Sequence, residues 1–158
     1  MKNHHGRLPN PVKYSLWLLG YKGRSVKDMT MALKKRGFEE SVITDTIDTL
    51  LDWGYLNDSQ FKEELIERRK RNNVKGRAFV RRELEQSGIC DLDDLDDLYT
   101  DEEEQQIISE LLEKWGRSAP LNQDNRGKYF MRLANRGFSR SNIFAAIEKH
   151  CDDTERLS

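Results

Sequence analysis

Apolar residues recur along this chain at steps of three and four, and most of these runs are closed by a glycine. Leu16, Trp17, Leu18 and Leu19, between Val12 and about Gly20, predict a short first helix. Ser25, with Asp28 three residues on, has the form of a capping box ahead of Val26, Met29 and Leu33. Gly37 is placed to end that helix as a left-handed residue. Ile43, Ile47, Leu50 and Leu51 predict a third helix, ended by Gly54.

The pattern then repeats. Asn57 is a suitable N-cap for a helix carrying Phe61, Leu65 and Ile66 inward and running on into arginines. Gly76 breaks it, and a further helix with Phe79, Val80 and Leu84 ends at Gly88. Leu92, Leu95, Leu98 and Tyr99 space a short acidic helix. Ile107, Ile108, Leu111, Leu112 and Trp115 form a stripe, followed by a loop from Gly116 to Leu121. Tyr129, Phe130 and Leu133 precede Arg136-Gly137-Phe138, and Ser139 is placed to cap a last helix with Ile143, Phe144 and Ile147.

Three helix ends share one signature. Leu33 to Phe38, Leu84 to Ile89 and Leu133 to Phe138 each read Leu, three mostly polar residues, Gly, large apolar residue. The glycines are 51 and 49 residues apart. One instance is a helix C-cap; three at near-constant spacing predict an internal repeat of three-helix units. The expected fold is all-α: three tandem three-helix repeats in an elongated, curved rod of either hand. The expected boundaries are a tail over 1–11, repeats over 12–56, 57–100 and 101–152, and a tail over 153–158.

Composition agrees with a narrow core. Of 158 residues, 36% are hydrophobic and 35% charged, and stacked repeats bury only a thin continuous core. No stretch approaches the roughly 18 apolar residues of a membrane span, and Met1 to Asn10 has no apolar run suited to a signal peptide. Cys90 and Cys151 match no metal-ligand spacing, which predicts a reduced, cytoplasmic protein. The His4-His5 pair stands in a polar segment with no zinc or catalytic constellation. Paired carboxylates are frequent, but none stands with a histidine, lysine or glycine-rich loop arranged for acid–base or phosphoryl chemistry. The expected protein is therefore not an enzyme and carries no cofactor. Trp17, Trp53 and Trp115 lie on or beside apolar stripes and are expected in packing, as are Tyr55 and Phe61.

The formal net charge of −1 conceals an asymmetry: residues 61–90 sum to +4 and residues 91–158 to −7. Arg68 to Arg82 holds eight basic residues and no acidic one. Such a block is either a solvated helix face or a surface for an anionic partner. Arg68 and Arg71, and Arg77 and Arg81, stand three or four apart and share helix faces. Guanidinium forks suit carboxylates and phosphates alike, so protein acid and nucleic-acid backbone both remain open as partners. The acidic run Asp91 to Glu104 reads as a solvated linker helix; the sharper alternative is that it folds over the basic face.

Gly37-Phe38, the run Leu50-Leu51-Asp52-Trp53-Gly54-Tyr55-Leu56-Asn57-Asp58 with Phe61, then Gly76, Arg82-Glu83-Leu84 and Gly88-Ile89 resemble the bacterial RecX family. That family's pattern is a Gly-Tyr-Leu-x-Asp-x-x-Phe turn, a basic helix and a Gly-x6-Glu-Leu-x3-Gly-Ile helix. The likeness covers Tyr14 to Cys151 and is most specific between Gly37 and Ile89. Lys62 departs from a common Ala, Asp91 to Glu104 is more acidic than the pattern, and Arg117 to Asn125 is expanded. The resemblance implies a non-enzymatic regulator that binds the RecA filament, restrains its ATP hydrolysis and strand exchange in recombination and repair, and in some members contacts DNA. The expected partners are the RecA filament and single- or double-stranded DNA, with no membrane, and the protein is expected to be a monomer. The candidate contact residues are Arg68, Arg69, Arg71, Lys75, Arg77, Arg81 and Arg82. The alternative is a helical-repeat nucleic-acid binder acting through phosphate contacts.

Overall fold

The structure, a computed structural model, describes residues 7–157; the His4-His5 pair lies outside them. The described residues form nine helices and no strand, so the all-α expectation holds. They succeed one another in threes: α1 (Pro11–Tyr21), α2 (Val26–Arg36) and α3 (Glu40–Asp52); α4 (Asp58–Arg71), α5 (Arg77–Gln86) and the single-turn α6 (Leu95–Leu98); α7 (Asp101–Gly116), α8 (Arg126–Asn135) and α9 (Arg140–Leu157).

Local chemistry explains most boundaries. The Ser25–Asp28 capping box forms, with the Asp28 amide donating to Ser25 Oγ at 3.0 Å. Asn57 caps α4 through the Gln60 amide at 3.1 Å, and Ser139 caps α9 through the Asn142 amide at 3.2 Å. The repeated signature closes three times by the same bond. The amides of Phe38, Ile89 and Phe138 donate to the carbonyls of Leu33, Leu84 and Leu133, at 3.2, 2.9 and 3.4 Å. Gly37, Gly88 and Gly137 supply the positive φ that this Schellman closure requires, at 109°, 79° and 90°. Each of the three leucines is fully buried, and each following apolar residue is buried too.

The chain divides into two compact units, Met1–Glu63 with Leu84–Cys90, and Glu64–Glu83 with Asp91–Ser158. The boundary falls within α4 and α5, so each of these helices contributes residues to both. In the first unit α3 packs on α1 and α2, around Met29, Leu33, Ile43, Ile47, Leu50 and Leu56. In the second, α9 packs on α7 and α8, and Leu95, Tyr99, Ile108, Leu112, Leu133, Ile143 and Ile147 are fully enclosed. α9 runs on through Leu157.

Several aromatic and apolar side chains expected in packing stand on the surface instead. Trp17 is 57% exposed, Trp53 61% and Tyr55 more than half. Leu51 and Phe144 also face solvent. Trp17, Leu51, Tyr55 and Phe144 each adjoin a buried residue by one position, and helical periodicity does not separate a stripe from its edge; Trp53 lies just past the end of α3. Trp115 is half-buried as expected, stacked on Tyr129 at 5.8 Å between centroids, with the Arg132 guanidinium 3.8 Å over its ring.

Candidate interaction surface

All eight basic residues from Arg68 to Arg82 belong to the second unit, and they divide into two sets. Arg68 to Arg71 fill the last turn of α4, where positive charge is favoured by the negative end of the helix dipole. Asn73, at φ 47°, turns the chain toward Gly76 and α5.

Three of the eight are held by carboxylates and carbonyls of the same unit. Arg69 grips Glu83 with two parallel bonds, Nε to Oε2 at 2.9 Å and Nη2 to Oε1 at 2.5 Å. The hydrogen bonds Arg69 donates to Glu83, outweighing burial, raise the Arg69 pKa further above its already high value. The Lys70 side chain is only 10% exposed; its Nζ donates to the Leu98 carbonyl at 2.7 Å, Glu103 at 2.6 Å and Glu67 at 3.2 Å. Arg77 donates to the Tyr99 carbonyl at 2.8 Å and to Asp101 at 2.7 Å, with Asp96 at 3.3 Å. Burial alone would lower the Arg77 pKa, but Asp101, Glu104 and Asp96 together raise it.

The rest are open. Arg68 and Arg82 are exposed and make no ion pair among the described residues. Arg71 is 78% exposed, with Glu67 no nearer than 3.8 Å, and Arg81 stands 3.8 Å from Asp96. Lys75 lies 4.6 Å from the centroid of the Phe79 ring, and Arg82 and Arg69 stand at 5.9 and 5.7 Å from it. Exposed pairs of this kind contribute at most about 1 kcal/mol, so these side chains keep most of their capacity for a partner.

The acidic segment is not a plain solvated linker. Asp96, Asp101 and Glu103 are the acids that hold Arg77 and Lys70. The Asp101 carboxyl is held below its usual range by hydrogen bonds from Asn142 and then Arg77. Burial pushes the Glu103 carboxyl up, but bonds from Lys70 and Thr100 outweigh it and leave it lowered. Thr100 and Glu103 form a reciprocal capping box on α7, legible as Thr-x-x-Glu but not singled out in the sequence.

Glu104, also missed, is the keystone. It is fully buried; its Oε1 accepts from the Arg77 amide at 3.1 Å and the Ser139 amide at 3.3 Å, and its Oε2 from Asn142 Nδ2 at 2.5 Å. One carboxylate thus satisfies backbone donors at the starts of both α5 and α9. A parallel occurs in the first unit, where Asp58 at the start of α4 accepts from the Val26 amide that opens α2, at 2.8 Å. Among the described residues no group of three or more His, Cys, Asp or Glu could hold a metal ion. No helix there is long and apolar enough to cross a membrane.

Residues 13–50 match the model of the RecX first three-helix domain, which covers most of α1, all of α2 and most of α3. A regulatory protein RecX of Bacillus velezensis is 32% identical over 135 residues, 83% of this chain and 51% of that protein. The Bacillus subtilis protein of the same name is 30% identical, over 90% of this chain and 57% of its own length. The crystal structure of RecX from Lactobacillus salivarius superposes with a TM-score of 0.73 at 26% identity, covering 89% of this chain and 94% of that one. The chain belongs to the RecX family. It spans about half the length of the first Bacillus and Geobacillus relatives it matches, 51% and 54%. The RecX turn motif is where the structure uses it: Tyr55 and Leu56 both donate to the Leu50 carbonyl, at 2.9 and 3.2 Å, to close α3 ahead of Asp58.

Proposed function

We propose that this RecX-family chain is a non-enzymatic regulator that binds the RecA recombinase, or its filament on single-stranded DNA, and restrains ATP hydrolysis and strand exchange. It acts as a cytoplasmic monomer without a cofactor. Family membership across nearly the whole chain carries the reading. The contacting surface is the open set Arg68, Arg71, Lys75, Arg81 and Arg82, whose charge no buried carboxylate consumes. Arg69 and Arg77 act by positioning, since their forks are already engaged. Exposed guanidinium groups recognise carboxylates by paired hydrogen bonds and raise association rates with an acidic protein surface.

The test is the rate of RecA-catalysed ATP hydrolysis on single-stranded DNA as this protein is added. The expected outcome is a dose-dependent fall that saturates near stoichiometric amounts. A flat response up to a large excess removes the proposal.

A further inference from the structure

Three cations meet around one aromatic ring in the second unit. Lys75 Nζ lies 4.6 Å from the centroid of Phe79, and the Arg69 and Arg82 guanidinium carbons lie 5.7 and 5.9 Å from it. Arg82 and Glu83 follow Phe79 by three and four residues on α5, so the three share a helix face. Like charges gathered this closely repel one another. Glu83 offsets one of them, with both its oxygens taken by Arg69. Neither Lys75 nor Arg82 makes an ion pair among the described residues. What draws these two together is the negative face of the Phe79 ring, which attracts a cation within about 6 Å.

The ring is also fixed at its root. A Cβ on Gly137 would stand 2.5 Å from Phe79 Cβ and 2.7 Å from its backbone nitrogen, so the start of α5 is pressed against that glycine. The Lys75 backbone is pinned from both sides: its amide donates to the Arg69 carbonyl at 3.0 Å, and its carbonyl accepts from the Tyr99 hydroxyl at 2.8 Å. Val80, the next residue, is fully buried, whereas Phe79 is only half-buried. A ring held for packing alone would be enclosed as Val80 is. Phe79 instead keeps part of its surface among the cations.

Two open cations beside a half-buried aromatic ring have the composition of a protein–protein anchor point, where aromatic and basic side chains carry most of the energy. Holding them in place beforehand cuts the ordering cost of binding. The cluster already shows what it accepts, since Arg69 grips the Glu83 carboxylate there through paired bonds. We infer that Phe79 is a positioning residue of the basic surface, gathering Lys75 and Arg82 into one point that takes a carboxylate of an acidic protein partner. The identity of that partner rests on the proposed RecA contact; the gathering does not.

The test compares Phe79→Leu, which keeps an apolar side chain without a ring face, with Phe79→Tyr, which keeps the ring. In NMR spectra of the full chain, the Lys75 side-chain methylene protons should be shifted upfield in the parent and in Phe79→Tyr, and return to ordinary values in Phe79→Leu. Binding is read twice, with labelled poly-glutamate at low salt without RecA, and as inhibition of RecA ATP hydrolysis. In both, Phe79→Leu should bind roughly five-fold more weakly, and Phe79→Tyr should stay within about two-fold of the parent. Lys75→Ala with Arg82→Ala should also weaken binding, and adding Phe79→Leu to that pair should change nothing further. A purely structural ring would cost the same in both backgrounds.

The inference fails if the parent does not bind poly-glutamate at low salt, or if Phe79→Leu binds it as the parent does. It fails equally if the Lys75 protons do not move, or if the cost of Phe79→Leu persists undiminished without Lys75 and Arg82. A loss seen with a labelled dT strand and not with poly-glutamate would assign the point to phosphate and overturn it. If the poly-glutamate series holds while RecA hydrolysis is unaffected even by the parent, the positioning role stands and the RecA reading falls.

Discussion

Gly76 and Gly137 meet backbone to backbone. The Gly76 amide donates to the Arg136 carbonyl at 2.9 Å, and the Ala78 amide donates to the Gly137 carbonyl at 3.2 Å. A Cβ on Gly76 would fall on the Gly137 carbonyl and the Phe138 nitrogen, and one on Gly137 would stand 2.5 Å from Phe79 Cβ. The start of α5 is thus laid directly on the turn between α8 and α9. Gly76→Ala should destabilise the protein by about 3 kcal/mol or more, because backbone rather than a movable side chain must yield. Gly20→Ala, inside α1 with nothing within 4 Å, should stabilise by up to about 1 kcal/mol. Urea midpoints of the two variants check the contrast, and equal midpoints would show that the glycine contact is not tight.

Glu104 makes a second demand on the same region. Its removal strands the Arg77 and Ser139 amides, which are packed against a carboxylate with no solvent exposure, and leaves the Asn142 amide with Asp101 as its remaining acceptor. Glu104→Ala should cost about 3 kcal/mol, from several buried groups losing partners at once. Glu104→Gln, which keeps one carbonyl acceptor, should cost less. Hydrogen exchange at Arg77 and Ser139 is the sharper readout: both amides should lose protection in the Ala variant. If neither does, Glu104 is not their cap.

Tyr99 should make the protein alkali-sensitive. Its hydroxyl donates to the Lys75 carbonyl at 2.8 Å, and burial, with Glu104 and Glu103 nearby, raises its pKa far above the ordinary phenol value. A folded-state pKa above the unfolded one gives stability that is complete below the unfolded value, about 10, and is lost as pH rises beyond it. The melting temperature should therefore fall above about pH 10, and Tyr99→Phe should flatten that fall while costing about 1 kcal/mol at neutral pH. Parallel alkaline profiles for the two proteins would dismiss Tyr99 as the cause.

Asp101 acts with the opposite sign. Hydrogen bonds from Asn142 and Arg77 depress its pKa in the folded state. Its contribution is present above the ordinary carboxylate value of about 4 and is lost as pH falls below it. Asp101→Asn should shrink the drop in melting temperature between pH 5 and pH 3. An unchanged acid limb in that variant would place the sensitivity on other carboxylates.

What could be read from the sequence was local chemistry. Ser25, Asn57 and Ser139 each cap a helix three residues away, and Gly37, Gly88 and Gly137 each close one over five. Their partners lie within one turn, so spacing alone identifies them. Gly76 was legible as a break, but Gly137, which requires it to be glycine, is 61 residues on. Arg77 looked like its neighbours Arg81 and Arg82 because Asp101 and the Tyr99 carbonyl reach it only through the fold. Trp17 reads as inward because an apolar residue at a stripe's edge has the same periodicity as one at its centre, whereas Trp53 lies past the last turn of α3, beyond the reach of that periodicity. The acids that bind Lys70 and Arg77 were visible as a block, but not which of them meets which cation.

That sorting of the basic block separates two kinds of arginine variant. Arg81→Ala with Arg82→Ala, and Arg68→Ala with Arg71→Ala, remove exposed charge and should shift stability by no more than about 0.5 kcal/mol each. If the proposed RecA contact is correct, either pair should weaken inhibition of RecA ATP hydrolysis several-fold through slower association, with the deficit greatest at low salt and shrinking as salt rises. Arg69→Ala instead leaves Glu83 unpaired, and Arg77→Ala releases Asp101 and the Tyr99 carbonyl. Both should lower the melting temperature measurably, and any loss of inhibition should track the fraction unfolded. A variant at Arg77 that melts like the parent yet loses inhibition would reassign Arg77 from positioning to contact. Full inhibition by the Arg81/Arg82 variant at every salt concentration would move the RecA surface away from α5.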